Sequence, residues 1–250
     1  MQSLFANYLK ILSMALVLCL SGSAYAEIHA TLSGTTNYIY RMYTKSNGGP
    51  ALQGNFDYSH SSGFYSGISI SSFNIGPSEL DLKKVFPNSA QAEFVPYIGW
   101  NFEFADDWRF AVQYSRYLYD DKIYSLDGDY NEFYAFLHYK DLLTAQVSFS
   151  EEFYGLPNYA LFYELTARYP ITDYLEISGT GGYAYTRELF MCDFPYWNLG
   201  LTGHYKFVSL DLRYHDSTEV MGYPEDDSHP MPDYPETIKA AVVFTISFGF

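Results

Sequence analysis

The chain has 250 residues; 20% are aromatic, including 27 Tyr and 20 Phe, only 17% are charged, and the formal charge is −15. This composition excludes intrinsic disorder, and the acidic balance excludes a nucleic-acid partner, which needs clustered Lys and Arg. After residue 26 no run of about 18 apolar residues occurs, so no helical membrane span is expected.

Residues 1–26 read as a cleaved secretory signal. Lys10 is its one charge, Ile11 to Leu20 is an apolar run, and Ala24-Tyr25-Ala26 has the small-x-small form of a cleavage site. Leu18 before Cys19 is too bulky for a lipoprotein site. Only Cys192 then survives processing, so no intrachain disulfide is expected.

Residues 27–250 form one predicted domain built on period-2 alternation, the mark of strands with two unlike faces. Twelve strands are predicted, beginning near Ile28, Pro50, Gly63, Ala92, Asp107, Tyr130, Leu142, Ala160, Tyr174, Tyr196, Val208 and Glu236. Leu143, Ala145, Val147 and Phe149 alternate with Thr144, Gln146, Ser148 and Ser150; Val208, Leu210, Leu212 and Tyr214 alternate with Ser209, Asp211, Arg213 and His215. Long joins (Thr44–Gly49, Asn74–Gln91, Asp120–Asp129, Ser150–Tyr159, Thr186–Pro195, Asp216–Pro235) alternate with tight ones (Ser59–Ser62, Ala105-Asp106, Lys140-Asp141, Pro170–Asp173, Phe207-Val208). That rhythm is foreign to a soluble sandwich. It belongs to an all-β, single antiparallel transmembrane barrel with short periplasmic turns and long external loops. Such a cylinder must close, because hydrocarbon leaves no water to satisfy an open edge.

The last strand places Phe244, Ile246, Phe248 and Phe250 on one face up to the final residue, a pattern expected to mark the chain for barrel-insertion machinery. Tyr and Trp near strand ends, such as Tyr38, Tyr40, Trp100, Trp108, Tyr169 and Trp197, suit interfacial belts beside outer-membrane lipid and lipopolysaccharide.

Strand parity assigns the lumen. The acids pointing inward are Asp57, Glu93, Glu103, Glu132, Glu164, Glu176 and Asp211; the bases are Arg41, Arg109, Lys140, Arg168, Lys206, Arg213 and Lys239. Seven against seven gives a charge-balanced lumen. The remaining acidity falls in loops, with Asp120, Asp121, Asp127 and Asp129 in one and Glu225, Asp226, Asp227, Asp233 and Glu236 in another. Twelve strands enclose a space between that of filled eight-stranded barrels and open porins.

Other chemistry is weaker. His204 and His215, with Ser209 and Asp211 nearby, form a conceivable Ser-His-acid set, but polar lumen filling is the plainer reading. Glu225, Asp226, Asp227 and His229 read as a solvated acidic loop ahead of a divalent-ion site. Gly179-Thr180-Gly181-Gly182 lacks the helix a phosphate-cradling loop needs. No catalytic set, metal site or cofactor is assigned, and the chain is not read as an enzyme.

Three stretches, Asn37-Tyr38-Ile39-Tyr40-Arg41, Gly49 to Tyr58, and Gly63-Phe64-Tyr65-Ser66-Gly67, resemble the opening of the TorF-like porin family. Tyr97-Ile98-Gly99-Trp100, Asn131 to Ala135, and Val243 to Phe248 are similar to later parts of it, so the likeness runs over nearly all of the mature chain. Two departures are Met42, where the family usually has Gly after the Arg, and Tyr119-Asp120-Asp121 in place of a Tyr-Pro-Gly-like turn. The resemblance implies a Gram-negative outer-membrane porin passing small hydrophilic solutes or ions. The competing expectation is a non-conducting surface barrel whose acidic loops serve as adhesin or receptor, with a barrel hydrolase third.

Overall fold

The computed structural model describes residues 26–75, 90–123, 126–190, 192–217 and 240–250. Its strands are β1 (Ala26–Thr35), β2 (Ile39–Tyr40), β3 (Tyr43–Thr44), β4 (Ala51–His60), β5 (Phe64–Ser72), β6 (Ala92–Ala105) and β7 (Trp108–Tyr119), followed by β8 (Tyr130–Tyr139), β9 (Leu143–Ser150), β10 (Ala160–Thr172), β11 (Leu175–Tyr185), β12 (Asp193–Tyr205), β13 (Val208–Ser217) and β14 (Ala240–Gly249). Twelve of them close into one antiparallel barrel, each paired with its neighbours in chain order and β1 paired with both β4 and β14. β2 and β3 stand apart as a small hairpin.

Eleven predicted strand starts lie within three residues of the observed ones; the twelfth, near Glu236, lies outside the described residues, and β14 is seen from Ala240. The signal segment, except its last residue, and the Glu225–His229 loop also lie outside them. The real difference is at the start. The sequence pattern runs strand one to residue 43, but the sheet is left at Thr35.

Alternation does what the lipid and lumen require. Leu52 and Phe56 point outward from β4 while Gln53, Asn55 and Asp57 point inward; Leu199 and Leu201 point outward from β12 while Asn198, Gly200 and Thr202 point inward. The outward row stays exposed, from Ile28 at 60% to Val242 at 64%. Such apolar surface is stable only against acyl chains, where each Å² withdrawn from water is worth about 25 cal/mol.

Glycines appear where inward tyrosines lie across the sheet. Gly67 pairs with Tyr97, Gly99 with Tyr65, and Gly182 with Tyr196. A Cβ on Gly182 would sit 2.3 Å from the Tyr196 ring. Each ring tip occupies the space that a Cβ on its glycine would need, a cross-strand lock that pins register.

At one end the connections are tight. Lys140 and Lys206 sit in turns with φ of 49° and 55°, and Ala26 pairs with His60 there. The described stretches of the long connections, such as residues 36–50, lie at the opposite end.

Candidate functional site

The first long connection, residues 36–50, turns back into the barrel. Its base is tied by a polar knot: Thr44 Oγ1 and Ser46 Oγ both donate to Asn37 Oδ1, and the Tyr38 amide donates to Ser46 Oγ. The β2–β3 hairpin projects from this knot, and its tip is Arg41-Met42, with φ of 50° and 68°. Two-residue hairpins favour this left-handed geometry, but usually with Asn and Gly; for other L-residues it costs roughly 1–2 kcal/mol each. The strain persists because the tip is anchored.

Arg41 is the first anchor. Its guanidinium donates to Glu132 Oε1 at 2.5 Å and to Ser148 Oγ at 2.6 Å, with Glu164 Oε2 at 3.9 Å. It lies over the rings of Phe162 at 3.9 Å and Tyr40 at 4.5 Å. Arg41 and Glu132 side chains are 1% and 0% exposed. Lys45 is the second anchor, its Nζ 2.6 Å from Glu93 Oε2 and facing the rings of Tyr40 and Tyr117 at 4.4 and 4.9 Å. Glu93 also accepts from the hydroxyls of Tyr38 and Tyr119. Burial, then Glu93, pushes the Tyr38 hydroxyl well above its ordinary value, so it stays a neutral donor. Burial pulls the Lys45 ammonium below its ordinary value, and Glu93 opposes that pull.

Around these anchors the lumen is packed with apolar and aromatic side chains. Met42 and Tyr43 pack into a buried cluster with Phe73, Ile123, Tyr130, Phe153, Phe162 and Phe194. Phe153 comes from a short turn after β9 (Phe153–Gly155), and Tyr43 meets Phe194 edge-on at 5.9 Å. Phe190, from the four-residue helix Arg187–Phe190, lies 5.8 Å from Tyr43. The long-loop half of the barrel is therefore filled by its own first loop and a ring of aromatics.

The lumen residues expected from parity distribute unevenly. Glu93, Glu132 and Glu164 meet at the docked loop. Asp211 holds Arg213, which also reaches Asn198 and Ser178. Asp57 accepts from Tyr97. Arg109 and Arg168 lie on inward positions toward the tight-turn end, where Arg168 donates to Thr144 and Glu103 pairs in register with Arg109 at an exposed rim.

Three predicted wall bases are elsewhere. Arg41 is on the loop, and Lys140 and Lys206 are in turns because each adopts a left-handed φ between strands. Lys239 lies outside the described residues. The described strands thus carry eight inward acids, the seven expected and Glu27 beside His29 on β1, against three inward bases, Arg109, Arg168 and Arg213. The wall is acid-rich, and the loop supplies Arg41 and Lys45. Lys45 carries no sequence signal of this role, since Ser46-Asn47-Gly48-Gly49 puts it at the edge of a surface turn.

His204 Nδ1 lies 3.0 Å from Ser209 Oγ, but Asp211 is engaged by Arg213 and Thr202, so the third member of a triad is not on that imidazole. Asp120 and Asp129 accept from the amides of Gln91, Ala92 and Tyr119 where β6 begins and β7 ends. Among the described residues no group of His, Cys, Asp and Glu has metal-site geometry.

The sequence profile of the family described as "Bacterial protein of unknown function (Gcw_chp)" matches residues 21–247. No curated protein matches the chain. Among solved structures it is similar to a TodX deltaS2S3 mutant, a monoaromatic hydrocarbon channel, with TM-score 0.52 and 8% identity over 93% of this chain and 91% of that one. It is also similar to the COG4313 outer membrane channel from Pseudomonas putida F1, with TM-score 0.51 and 7% identity over 92% and 96%. At these identities the likeness is one of fold.

Proposed function

The chain belongs to the Gcw_chp family of bacterial proteins of unknown function, and we propose that it is an outer-membrane channel for small hydrophilic solutes or ions, held shut by its own first loop. The carrying observation is what fills the cylinder. Its polar wall is occluded by a separable hairpin, tethered through Arg41 and Lys45. A barrel serving only as an anchor can fill itself with wall side chains.

The likeness in fold to two channels and the TorF-like porin motifs support this reading. On it, the chain is exported by its first 26 residues, the tight turns face the periplasm, and the outward row contacts outer-membrane lipid and lipopolysaccharide. Phe244, Ile246, Phe248 and Phe250 label the chain for insertion. The buried aromatic cluster favours the second reading, a non-conducting barrel with receptor loops.

Single-channel recording on refolded protein separates the two. The wild type is expected to open rarely, and Arg41→Ala with Lys45→Ala to raise open time at least tenfold. A folded double variant with no conductance would reject the channel.

A further inference from the structure

We infer that the wall behind the first loop is a binding site for small organic cations, guanidinium or ammonium compounds, and that Arg41 and Lys45 occupy it as tethered stand-ins. The inference deepens the channel reading by naming its solute class, and it rests on that reading for its physiological meaning.

The ion pairs that Glu93, Glu132 and Glu164 make among the described residues are to the loop's two cations. Withdrawal of the loop would leave these carboxylates facing the lumen with no wall base paired to them. Each carboxylate is part of a cage. Around Arg41 the wall contributes Glu132, Glu164, the Ser148 hydroxyl and the rings of Phe162 and Tyr134. Around Lys45 it contributes Glu93 and the ring of Tyr117. Carboxylate plus ring face is the chemistry that selects weakly hydrated organic cations over compact metal ions.

A further feature shows that the stand-in leaves the cage incompletely used. Ser150 Oγ is buried on the β9 face that carries Ser148, one position beyond the Phe133–Phe149 pair on the side of Glu132, and has no hydrogen-bond partner among the described residues. Arg41 Nε is likewise buried without an acceptor. A free guanidinium, not constrained by a hairpin tip, has donors for Ser150 as well as for Glu132. Ligand and loop then compete for one site, so ligand binding and loop release are coupled.

The test uses agmatine, which carries both a guanidinium and an ammonium, on refolded barrel whose folding is verified by heat-modifiable gel mobility. By calorimetry the Arg41→Ala/Lys45→Ala variant should bind agmatine, and adding Glu132→Gln and Glu164→Gln should weaken binding at least tenfold. Magnesium should not displace it. If the double variant does not fold, Lys45→Met, which frees only the Glu93 cage, takes its place, with Glu93→Gln as its control. Absence of agmatine binding to a folded variant, or binding indifferent to the Gln substitutions, overturns the inference. Binding is read without conductance: agmatine binding by a silent barrel rejects the channel and keeps the site, and a conducting barrel that ignores agmatine does the reverse.

Discussion

Glu93→Gln isolates one anchor while preserving shape. It leaves the Lys45 ammonium, 0% exposed, without the carboxylate 2.6 Å away. Removing one partner of a buried pair costs about 3–5 kcal/mol. Ring faces at 4.4 and 4.9 Å return part of this, roughly 0.5–2 kcal/mol in total. A second route limits the penalty: the lysine can dock neutral. From its ordinary value of 10.5, deprotonation at pH 7 costs about 5 kcal/mol, and at pH 9 about 2 kcal/mol, at 1.36 per unit. Loop docking in the variant should therefore be weakened most at neutral pH and recover as pH rises, because the docked state then binds fewer protons than the released one. Trypsin reports this directly, since cleavage after Lys45 requires the loop to leave the lumen and tracks the open population when opening is fast. Cleavage relative to wild type should rise about 10- to 10³-fold at pH 7, and by pH 9, where neutral docking caps the penalty near 2 kcal/mol, the ratio should fall to no more than about 30-fold. An unchanged cleavage rate, or a ratio flat with pH, would refute a docking held by this pair.

Leu199→Arg puts a charge on the outward face near the middle of β12; it should lower stability in urea-refolding titrations by about 2–4 kcal/mol, whereas the inward Thr166→Arg should cost less. Gly182→Ala drives a methyl into the Tyr196 ring, 2.3 Å from the built Cβ, and should destabilise by about 1–3 kcal/mol, with Tyr196→Ala in the same chain removing most of that clash.

Twelve strands could be read from the sequence because each carries its own two-faced pattern, and the lipid makes that pattern obligatory. The docked loop could not, for the same reason. Asn37 to Lys45 is as rich in strand-favouring Tyr and Ile as β1, so carrying the parity of β1 across it sets Arg41 on the wall. What interrupts the strand is a left-handed pair at Arg41 and Met42, and neither residue advertises such a turn. The one available hint was Met42 itself, standing where the resembling family usually has Gly. Charge counting failed by the same step. Parity treats every inward base as a wall residue, yet Lys140 and Lys206 are turn residues and Arg41 is loop. The three-carboxylate site was legible as separate strand positions and became a site only when a segment distant in sequence was laid across it.

The seam between β1 and β14 is registered only from Thr31–Gly249 to Thr35–Thr245, with backbone bonds extending it to Phe250 and Thr36. It joins positions more than two hundred residues apart, so the cylinder stays a curled ribbon with two bare rims until nearly all of the polypeptide is in hand. During that interval both rims invite foreign strands. Whatever catalyses assembly must shield two margins at once, and the final snap engages the briefest hydrogen-bonded ladder in the wall, which marks it as the first place a strained cylinder would unzip.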